Sequence, residues 1–172
     1  MPIEGVETAS QSSPQGLGHA VRCGLNAEDA AVLVALPDVV FPDGGPFERL
    51  LSALDAGADF SLAVEEVAPE RASLYGIAEL AGDEDWRIER LVEKPASGET
   101  VSRWAVASRY ALGPLALQTL REWPEAEFGL TEVLQAVLDA GGIGLSVPLI
   151  ESEIRYDCGS PEGYAAAREA LG

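Results

Sequence analysis

Two aspartates follow predicted strands and could hold a metal ion between them. Asp38 comes directly after the apolar segment VLVALP, and Asp157 follows the segment ESEIRY. Ligands of open α/β sheets bind beyond the carboxyl ends of the strands, so polar side chains at these positions are candidates for a functional site. Two carboxylates suit Mg²⁺, which prefers one or two of them together with phosphate oxygens and water. Periodicity alone favours a loop or helix-capping role for each aspartate.

Hydrophobic spacing predicts the strands that must position these aspartates. An apolar run over residues 30–36, stopped by Pro37, indicates a strand buried on both faces, as in a parallel sheet. FSLAVEEV, WAVASRYAL and IGLSVPLI are further predicted strands. SLYGIAEL and WRIERLVEKP are predicted to form an antiparallel hairpin around the acidic turn GDED.

Apolar residues at helical spacing predict five helices. They cover residues 16–25, residues 47–54 with Gly57 as a C-terminal cap, a segment from Pro114 to residue 120, LTEVLQAVLDAGG, and SPEGYAAAREALG with Ser160 as N-cap. Strands alternate with helices at both ends of the chain and pair antiparallel in the middle. This order predicts a mixed α/β sheet with helices on both faces.

The chain has the size of one domain and is strongly acidic. Its 172 residues are enough for a single compact domain with its own core. The formal net charge of −18 would repel a phosphate backbone, so nucleic acid is not an expected partner. Because Lys and Arg are scattered, any site for phosphate groups must be a local electropositive island.

Neither a membrane nor a disulfide framework is expected. No apolar run approaches the roughly 20 residues that a membrane span needs. The start MPIEGVETASQSSP lacks the features of a secretory signal, which predicts a cytoplasmic location. Cys23 and Cys158 are too few and too isolated for a disulfide framework or a zinc cluster, and we expect reduced, buried thiols.

Six sequence blocks, in their order and approximate spacing, resemble bacterial UTP–glucose-1-phosphate uridylyltransferases of the sugar-phosphate nucleotidylyltransferase family. The blocks are QSSPQGLGHAV, LPDVV, LYG, VEKP, LTE and YDCGSPEGY, spanning residues 11–164. LPDV resembles the uridylyltransferase branch, whereas related thymidylyltransferases usually carry a GD form of this block. GLGHAV and YDCG resemble the same uridylyltransferase branch. The resemblance implies an α/β fold, a truncated Rossmann-like mixed sheet of the nucleotide-diphospho-sugar transferase type with helices on both faces.

The resemblance implies a reaction and the residues for its nucleotide and metal. UDP-glucose and pyrophosphate would be made from UTP and glucose 1-phosphate by attack of a phosphate oxygen on the α-phosphorus, without a protein nucleophile. Gln11 and Gly16 would contact the uracil base, although the residues alone also fit a polar turn before a helix. Asp38 and Asp157 would hold the Mg²⁺ cofactor between the nucleotide and sugar phosphates and act as catalytic residues.

The resemblance also implies the sugar site. Gly76 and Glu93 would bind glucose, because a carboxylate accepts hydrogen bonds from neighbouring hydroxyls at both oxygens. Lys94 would meet the sugar phosphate as a third catalytic residue, and Gly159 would allow close approach of the sugar or metal. Without the resemblance, the sequence around Glu93 and Lys94 indicates a solvated strand end, and that around Gly159 indicates a turn before a helix. His19, the single histidine, receives no role.

The chain departs from the family pattern in three places. The family's first strand and its glycine-rich GxGTRxxP triphosphate loop are absent from the sequence, so residues 1–172 are expected to be a single partial domain. The strand before Asp38 should then have an unpaired edge. Arg103 stands where relatives commonly carry a sugar-contacting Asn, and GLTE over residues 129–132 replaces QLTD.

These departures leave several hypotheses open. The chain alone is expected to be inactive or to need a complementing N-terminal chain, and relatives' assembly implies a homo-oligomer. One alternative is a non-catalytic module that binds a sugar phosphate or a protein partner. Another is a nucleotidylyltransferase for a different nucleotide or sugar, such as dTTP.

Overall fold

Eight strands and five α-helices are present in the computed structural model, which describes residues 5–82 and 85–172. The helices are α1 (Gly16–Gly24), α2 (Phe47–Asp55), α3 (Pro114–Glu122), α4 (Leu130–Asp139) and α5 (Pro161–Leu171), with a short 3₁₀ helix at Pro69–Leu74. The strands are β1 (Val32–Ala35), β2 (Val39–Val40), β3 (Phe60–Glu66), β4 (Gly76–Gly82), β5 (Asp85–Glu93), β6 (Trp104–Leu112), β7 (Gly144–Pro148) and β8 (Tyr156–Asp157). The five helices and the main strands confirm the sequence predictions.

Six strands form a mixed sheet in the order β1-β6-β3-β7-β5-β4. Among the strand pairs of the described residues, only β3 and β7 pair parallel in this sheet, and the other pairings are antiparallel. β4 and β5 form the predicted hairpin, and residues 83 and 84 of its predicted acidic turn lie outside the described residues. β2 and β8 make a separate two-stranded sheet, which the sequence pattern did not predict.

β1 is an edge strand, contrary to the prediction of a strand buried on both faces. It pairs antiparallel with β6 and has no other strand partner among the residues described. Val34 is its one buried residue, and Leu33 is 40% exposed. The strand with an unbroken buried run is β3 in the middle of the sheet. The apolar run of β1 has a similar length but is half-exposed at the edge of the sheet. This position confirms the expected open edge beside Asp38.

Helices cover both faces of the sheet, as predicted. The larger core packs α3 and α4 against β3 and β6 through residues that include Leu62, Leu112, Leu120 and Leu134. Fully burying each such leucine contributes about 2 kcal/mol. On the opposite face α2 packs through Leu50.

Local signals set the ends of these helices. Gly57 adopts a positive φ of 101° after α2, and the N–H of Ala58 donates to the carbonyl of Ala53, as in a Schellman cap. At the start of α5, the Ser160 hydroxyl accepts a hydrogen bond from the N–H of Gly163 at 3.0 Å. This cap matters for function because α5 directly follows Asp157.

Two further expectations concern the membrane and the thiols. None of the helices in the described part of the chain is long and apolar enough to cross a membrane. Cys23 and Cys158 are free thiols and are only half-buried. The expectation of buried cysteines was wrong, because α1 and the segment before α5 both lie at the surface.

Candidate functional site

A cleft of about 410 Å³ opens where β1 and β5 end, beside the middle of β6 and the N-terminus of α4. Five of the eight predicted site residues line it, namely Asp38, Gly76, Glu93, Lys94 and Asp157. Two of the blocks from which these residues come are more than 60 positions apart in the sequence. The fold therefore brings the predicted metal and sugar residues to one place.

The two aspartates are joined by the small sheet. Val39, which follows Asp38, pairs with Asp157 across β2 and β8. The N–H of Cys158 also donates to the carbonyl of Asp38 at 2.7 Å. A Cβ on Gly159 would lie 3.2 Å from Asp157 Oδ1 and 3.6 Å from Asp38 Oδ2, so both carboxylates face the same space.

The number of carboxylates fits a metal that is shared with phosphates. Within residues 5–82 and 85–172, no group of three or more His, Cys, Asp or Glu side chains could hold a metal ion. Asp38 and Asp157 thus offer two carboxylates without a full protein cage. Mg²⁺ commonly takes such a set and completes its octahedron with water and phosphate oxygens.

Close packing at the start of α5 fixes the position of Asp157. The N–H of Gly159 donates to Asp157 Oδ1 at 3.0 Å, which orients the carboxylate. At Gly163, a Cβ would overlap the carbonyl oxygen of Asp157. Glycine is therefore required there so that the helix can approach the strand.

Glu93 and Gly76 form the other end of the cleft. They are directly opposite in the β4–β5 ladder, and a Cβ on Gly76 would lie 3.1 Å from Glu93 Oε2. The Thr131 hydroxyl donates to the same oxygen at 2.7 Å. One carboxylate oxygen is thus anchored, and the other can accept a hydrogen bond from a ligand.

Backbone strain is concentrated in this cleft. Lys94 and Ser108 have φ values of 46° and 59°, and they are the two non-glycine residues with positive φ in the described chain. Both line the cleft. The left-handed conformation costs such residues about 1 kcal/mol or more, and it clusters at functional sites. The N–H of Lys94 donates to the carbonyl of Tyr75 at 3.0 Å, which holds the strained residue in place.

The sequence reasoning missed Arg155, a buried cation in the cleft lining. Its side chain is 6% exposed, pairs with Glu65, and lies 3.5 Å from Asp157 Oδ2. Its guanidinium also stacks over the ring of Tyr75 at 5.6 Å. Residues i and i+2 of an extended segment point to the same side, so the spacing of Arg155 and Asp157 is the signal that could have found it.

Arg109 on β6 is a second buried cation near Asp38. Its guanidinium donates to the carbonyls of Leu36 and Val39, at 3.3 and 2.7 Å, on either side of Asp38. Burial lowers the pKa of Arg109, the Asp38 carboxylate raises it, and the Arg155 charge lowers it again. Arg109 therefore anchors the loop that carries Asp38.

Tyr110 lines the cleft that contains both carboxylate ends. Burial raises the pKa of its phenol above the usual range, and the carboxylates of Glu93 and then Asp38 raise it further. Tyr110 thus interacts electrostatically with the carboxylates at both ends of the cleft.

Gln11 and Gly16 lie together beside the cleft. The Gln11 Nε2 amide donates to the Gly16 carbonyl at 3.1 Å, and Leu17 lines the cleft. Gly16 has a φ of 85°, and a Cβ there would overlap the carbonyl oxygen of Phe128. Glycine is therefore required at position 16 because the backbone of Phe128 packs closely against it.

Of the three departures from the family pattern, the two at Arg103 and at GLTE lie in different places. Arg103 forms an ion pair with Glu66 and is not part of the cleft lining. Glu132 lines the cleft, and its carboxylate accepts a hydrogen bond from the N–H of Gly129 at 2.6 Å. This contact caps the N-terminus of α4, so the glutamate of GLTE has a structural role.

The mixed α/β sheet with helices on both faces matches solved structures of the nucleotide-diphospho-sugar transferase type. The nucleotidyl transferase family matches residues 4–171, and the chain belongs to this family. The recognition from six sequence blocks is confirmed.

Named relatives are similar over most of this chain. A UTP–glucose-1-phosphate uridylyltransferase from Pseudomonas aeruginosa is 28% identical over 91% of this chain and 58% of its own length. The YngB uridylyltransferase of Bacillus subtilis is 32% identical over 94% of this chain and 56% of its own. A UDP-glucose pyrophosphorylase solved with UDP-glucose is 29% identical, with a TM-score of 0.77 over 94% of this chain and 63% of that one. The chain thus spans less than two thirds of each.

Proposed function

We propose that this chain supplies the sugar and metal side of an enzyme that makes UDP-glucose and pyrophosphate from UTP and glucose 1-phosphate. The observation that carries the proposal is the convergence of Asp38, Asp157, Glu93 and Lys94 on one cleft. The names of the relatives, which match over most of this chain, support the same reaction.

The metal end acts by neutralising charge. Asp38 and Asp157 would hold Mg²⁺, and the ion supplies compensation for negative charge on the phosphates. Lys94 binds the phosphate of glucose 1-phosphate as a compact cation. Arg155 keeps the Asp157 carboxylate oriented through its contact at 3.5 Å. The reaction then depends on positioning of the phosphate oxygen and the α-phosphorus.

The sugar end acts by hydrogen bonding. The free oxygen of Glu93 accepts from glucose hydroxyls, while Thr131 holds the other oxygen. Gly76 leaves the space beside Glu93 open, since a side chain there would press against the carboxylate. Gly159 serves the same purpose between Asp38 and Asp157. Gln11 and Gly16 contact the uracil base at the border of the cleft.

Binding without turnover is the expected behaviour of the 172-residue chain alone. The GxGTRxxP pattern that family members use on the triphosphate does not occur in these residues. The cations in the cleft lining, Lys94 and Arg155, lie beside the sugar and metal residues. We propose that residues 1–172 act as one partial domain whose activity needs a complementing N-terminal chain, and that the chain assembles with that chain or as a homo-oligomer. We place this reaction in the cytoplasm.

Calorimetry and a pyrophosphate assay test the proposal. We expect the chain to bind UDP-glucose and glucose 1-phosphate more tightly with Mg²⁺, and to release no pyrophosphate from UTP and glucose 1-phosphate. Absence of binding to both ligands would refute the proposed function. Turnover by the chain alone would instead refute the requirement for a complementing part. A panel with dTTP and other sugar phosphates reveals any other substrate pair.

The open edge of β1 favours a second candidate, a non-catalytic interaction module. Its outer backbone groups have no strand partner among the described residues, and Leu33 is 40% exposed beside them. Such an edge can pair with a strand of another chain. Light scattering that shows a strict monomer, together with no heat from any ligand, would exclude this candidate.

A further inference from the structure

His19 contacts the amide of Gln11, and the hydrogen bonds fix which amide atom faces which partner. Gln11 Nε2 lies 3.1 Å from the carbonyl oxygen of Gly16 and 2.9 Å from His19 Nδ1. A carbonyl oxygen only accepts hydrogen bonds, so the amide atom that faces Gly16 must be the nitrogen. The amide carbonyl then points away from both partners.

The same two contacts fix the tautomer of the imidazole. An amide nitrogen carries two hydrogens and no lone pair for accepting, so His19 Nδ1 must be the acceptor at 2.9 Å. The ring proton of the neutral imidazole therefore sits on Nε2. Both hydrogens of Gln11 Nε2 are used, and Oε1 has no hydrogen-bond partner within the described residues.

The imidazole ring is held in place by its neighbours. Phe128 packs against it edge to face with ring centroids 6.2 Å apart, and Cys23 Sγ lies 3.6 Å from Nδ1, one helical turn along α1. Phe128 is itself tied to the turn before α1, because its N–H donates to the carbonyl of Gln15 at 3.0 Å. The acceptor that faces Gln11 thus has a fixed position.

We propose that His19 is a positioning residue that locks the Gln11 amide with its carbonyl oxygen free to accept a hydrogen bond from a nucleobase N–H. This inference rests on the proposed role of Gln11 at the base. Uracil presents an N–H at ring position 3, whereas cytosine presents an unprotonated nitrogen there. A locked acceptor favours uracil, because cytosine would leave two acceptors facing each other.

Two variants of nearly equal shape test the lock. His19→Asn keeps an oxygen acceptor near the position of Nδ1, and His19→Leu removes it. With UMP and CMP as probes in calorimetry, we expect His19→Leu to bind UMP about three- to tenfold more weakly and to narrow the preference for UMP over CMP. His19→Asn should retain most of the UMP affinity and most of the preference for UMP over CMP. Cys23→Ala, which removes the other polar neighbour of the ring, should bind as the unmodified chain does.

A spectroscopic test needs no ligand. Because the chain has one histidine, a ¹⁵N–¹H correlation spectrum of the labelled protein reports His19 alone. We expect Nδ1 to be unprotonated and Nε2 to carry the proton when the imidazole is neutral. Gln11→Ala should shift the resonance of His19 Nδ1, because the hydrogen-bond donor to that nitrogen is lost.

The outcomes separate this inference from the proposed function. If UMP binds, Gln11→Ala weakens it and His19→Leu equals His19→Asn, the positioning role is wrong while the base site stands. A proton on Nδ1 of neutral His19 would overturn the inference by itself. If UMP does not bind, or Gln11→Ala binds it unchanged, the base site of the proposed function fails, and the role of His19 fails with it.

Discussion

The two ends of the cleft both present carboxylates, but different partners surround them. At one end Asp157 lies 3.5 Å from the buried guanidinium of Arg155, and Arg109 holds the backbone on both sides of Asp38. At the other end Glu93 accepts from the neutral hydroxyl of Thr131. The first end balances paired negative charges with cations, whereas the second offers a single anchored acceptor to neutral donors.

This difference separates two kinds of ligand chemistry. A carboxylate pair beside arginines is suited to a divalent cation and to the phosphates that share it. A single carboxylate with one oxygen anchored is suited to hydroxyl groups, where direction matters more than charge. Each end can therefore be damaged separately, and ligands with and without Mg²⁺ report which end was affected.

The largest effect is expected from removing the carboxylate pair. Asp38→Asn combined with Asp157→Asn keeps the side-chain shapes but removes both anionic ligands. We expect the Mg²⁺-dependent part of UDP-glucose affinity to fall by at least about 100-fold, since even residues behind metal ligands commonly cost 10- to 100-fold. Calorimetric titration with UDP-glucose, with and without Mg²⁺, measures this Mg²⁺-dependent affinity. Binding without Mg²⁺ should not weaken.

Asp55→Asn is the matched control for this loss of charge. Asp55 is exposed at the end of α2 and is not part of the cleft lining. Its substitution should leave the Mg²⁺ dependence intact. If the double variant retains that dependence, the assignment of the metal to this end is wrong.

A smaller effect at the same end is expected from Arg155→Met. The substitution removes the guanidinium that faces Asp157 and pairs with Glu65, but it keeps an apolar side chain over Tyr75. We expect about a tenfold loss of Mg²⁺-dependent UDP-glucose affinity, because the carboxylate is less well oriented. Unfolding free energy should fall by about 1–2 kcal/mol, since both carboxylates are partly exposed.

Arg103→Met removes a comparable Arg–Glu pair outside the cleft. Arg103 pairs with Glu66 and has a half-exposed side chain. We expect no change in the Mg²⁺ dependence and at most a small loss of stability. Equal losses of ligand affinity in the Arg155 and Arg103 variants would mean that overall charge, and not the orientation of Asp157, controls binding.

Glu93→Gln should affect only the sugar end. The substitution keeps an oxygen that can accept from Thr131 but removes the negative charge. We expect glucose 1-phosphate and UDP-glucose to bind about fivefold more weakly, as a charged hydrogen bond becomes a neutral one. UMP affinity and the effect of Mg²⁺ should be unchanged in the same calorimetric series.

Glu79→Gln provides the control on the same hairpin. Glu79 lies on β4, pairs with Arg90 at 3.6 Å, and is not part of the cleft lining. Its substitution should not alter sugar binding. Loss of UMP affinity in Glu93→Gln would show that the two ends are not independent.

The sequence predicts features of the two ends only where the residues that determine them are close together in the chain. The spacing of Phe60, Leu62 and Val64 predicted β3 within a residue or two, because neighbouring residues carry the pattern. The pairing of Val39 with Asp157 joins strands of two residues each, more than 100 positions apart, and leaves no periodic signal. Hence Asp38 and Asp157 were each ambiguous until the resemblance paired them.

Burial was predicted less well than secondary structure for the same reason. β1 and β3 have similar apolar runs, and only their places in the sheet decide that Leu33 is 40% exposed while Leu62 is buried. Arg155 was missed because a buried arginine depends on partners such as Glu65 that are distant in the chain. The local spacing of Arg155 and Asp157 places both on one side of an extended segment, but no local pattern indicates a distant partner such as Glu65.

The last effect concerns Tyr110, whose pKa is raised by carboxylates at both ends of the cleft. Burial, then Glu93, then Asp38, raises the pKa of its phenol in the folded state. Above a pH of about 10 an unfolded tyrosine ionises while Tyr110 keeps its proton, so unfolding becomes easier as pH rises, by up to about 1.4 kcal/mol per pH unit. We expect Tyr110→Phe to lack this part of the alkaline loss of stability, measured by urea unfolding between about pH 9 and about pH 11.

Ultraviolet titration of the four tyrosines links this effect to the two ends of the cleft. The raised pKa of Tyr110 predicts a late ionisation step, which Tyr110→Phe should remove. Because Glu93 contributes more than Asp38, Glu93→Gln should bring the late ionisation to lower pH by more than Asp38→Asn does. If Asp38→Asn lowers the pKa of Tyr110 by more than Glu93→Gln does, the carboxylate at the metal end has the stronger effect on Tyr110. The charge of Glu93 would then be screened more strongly than that of Asp38.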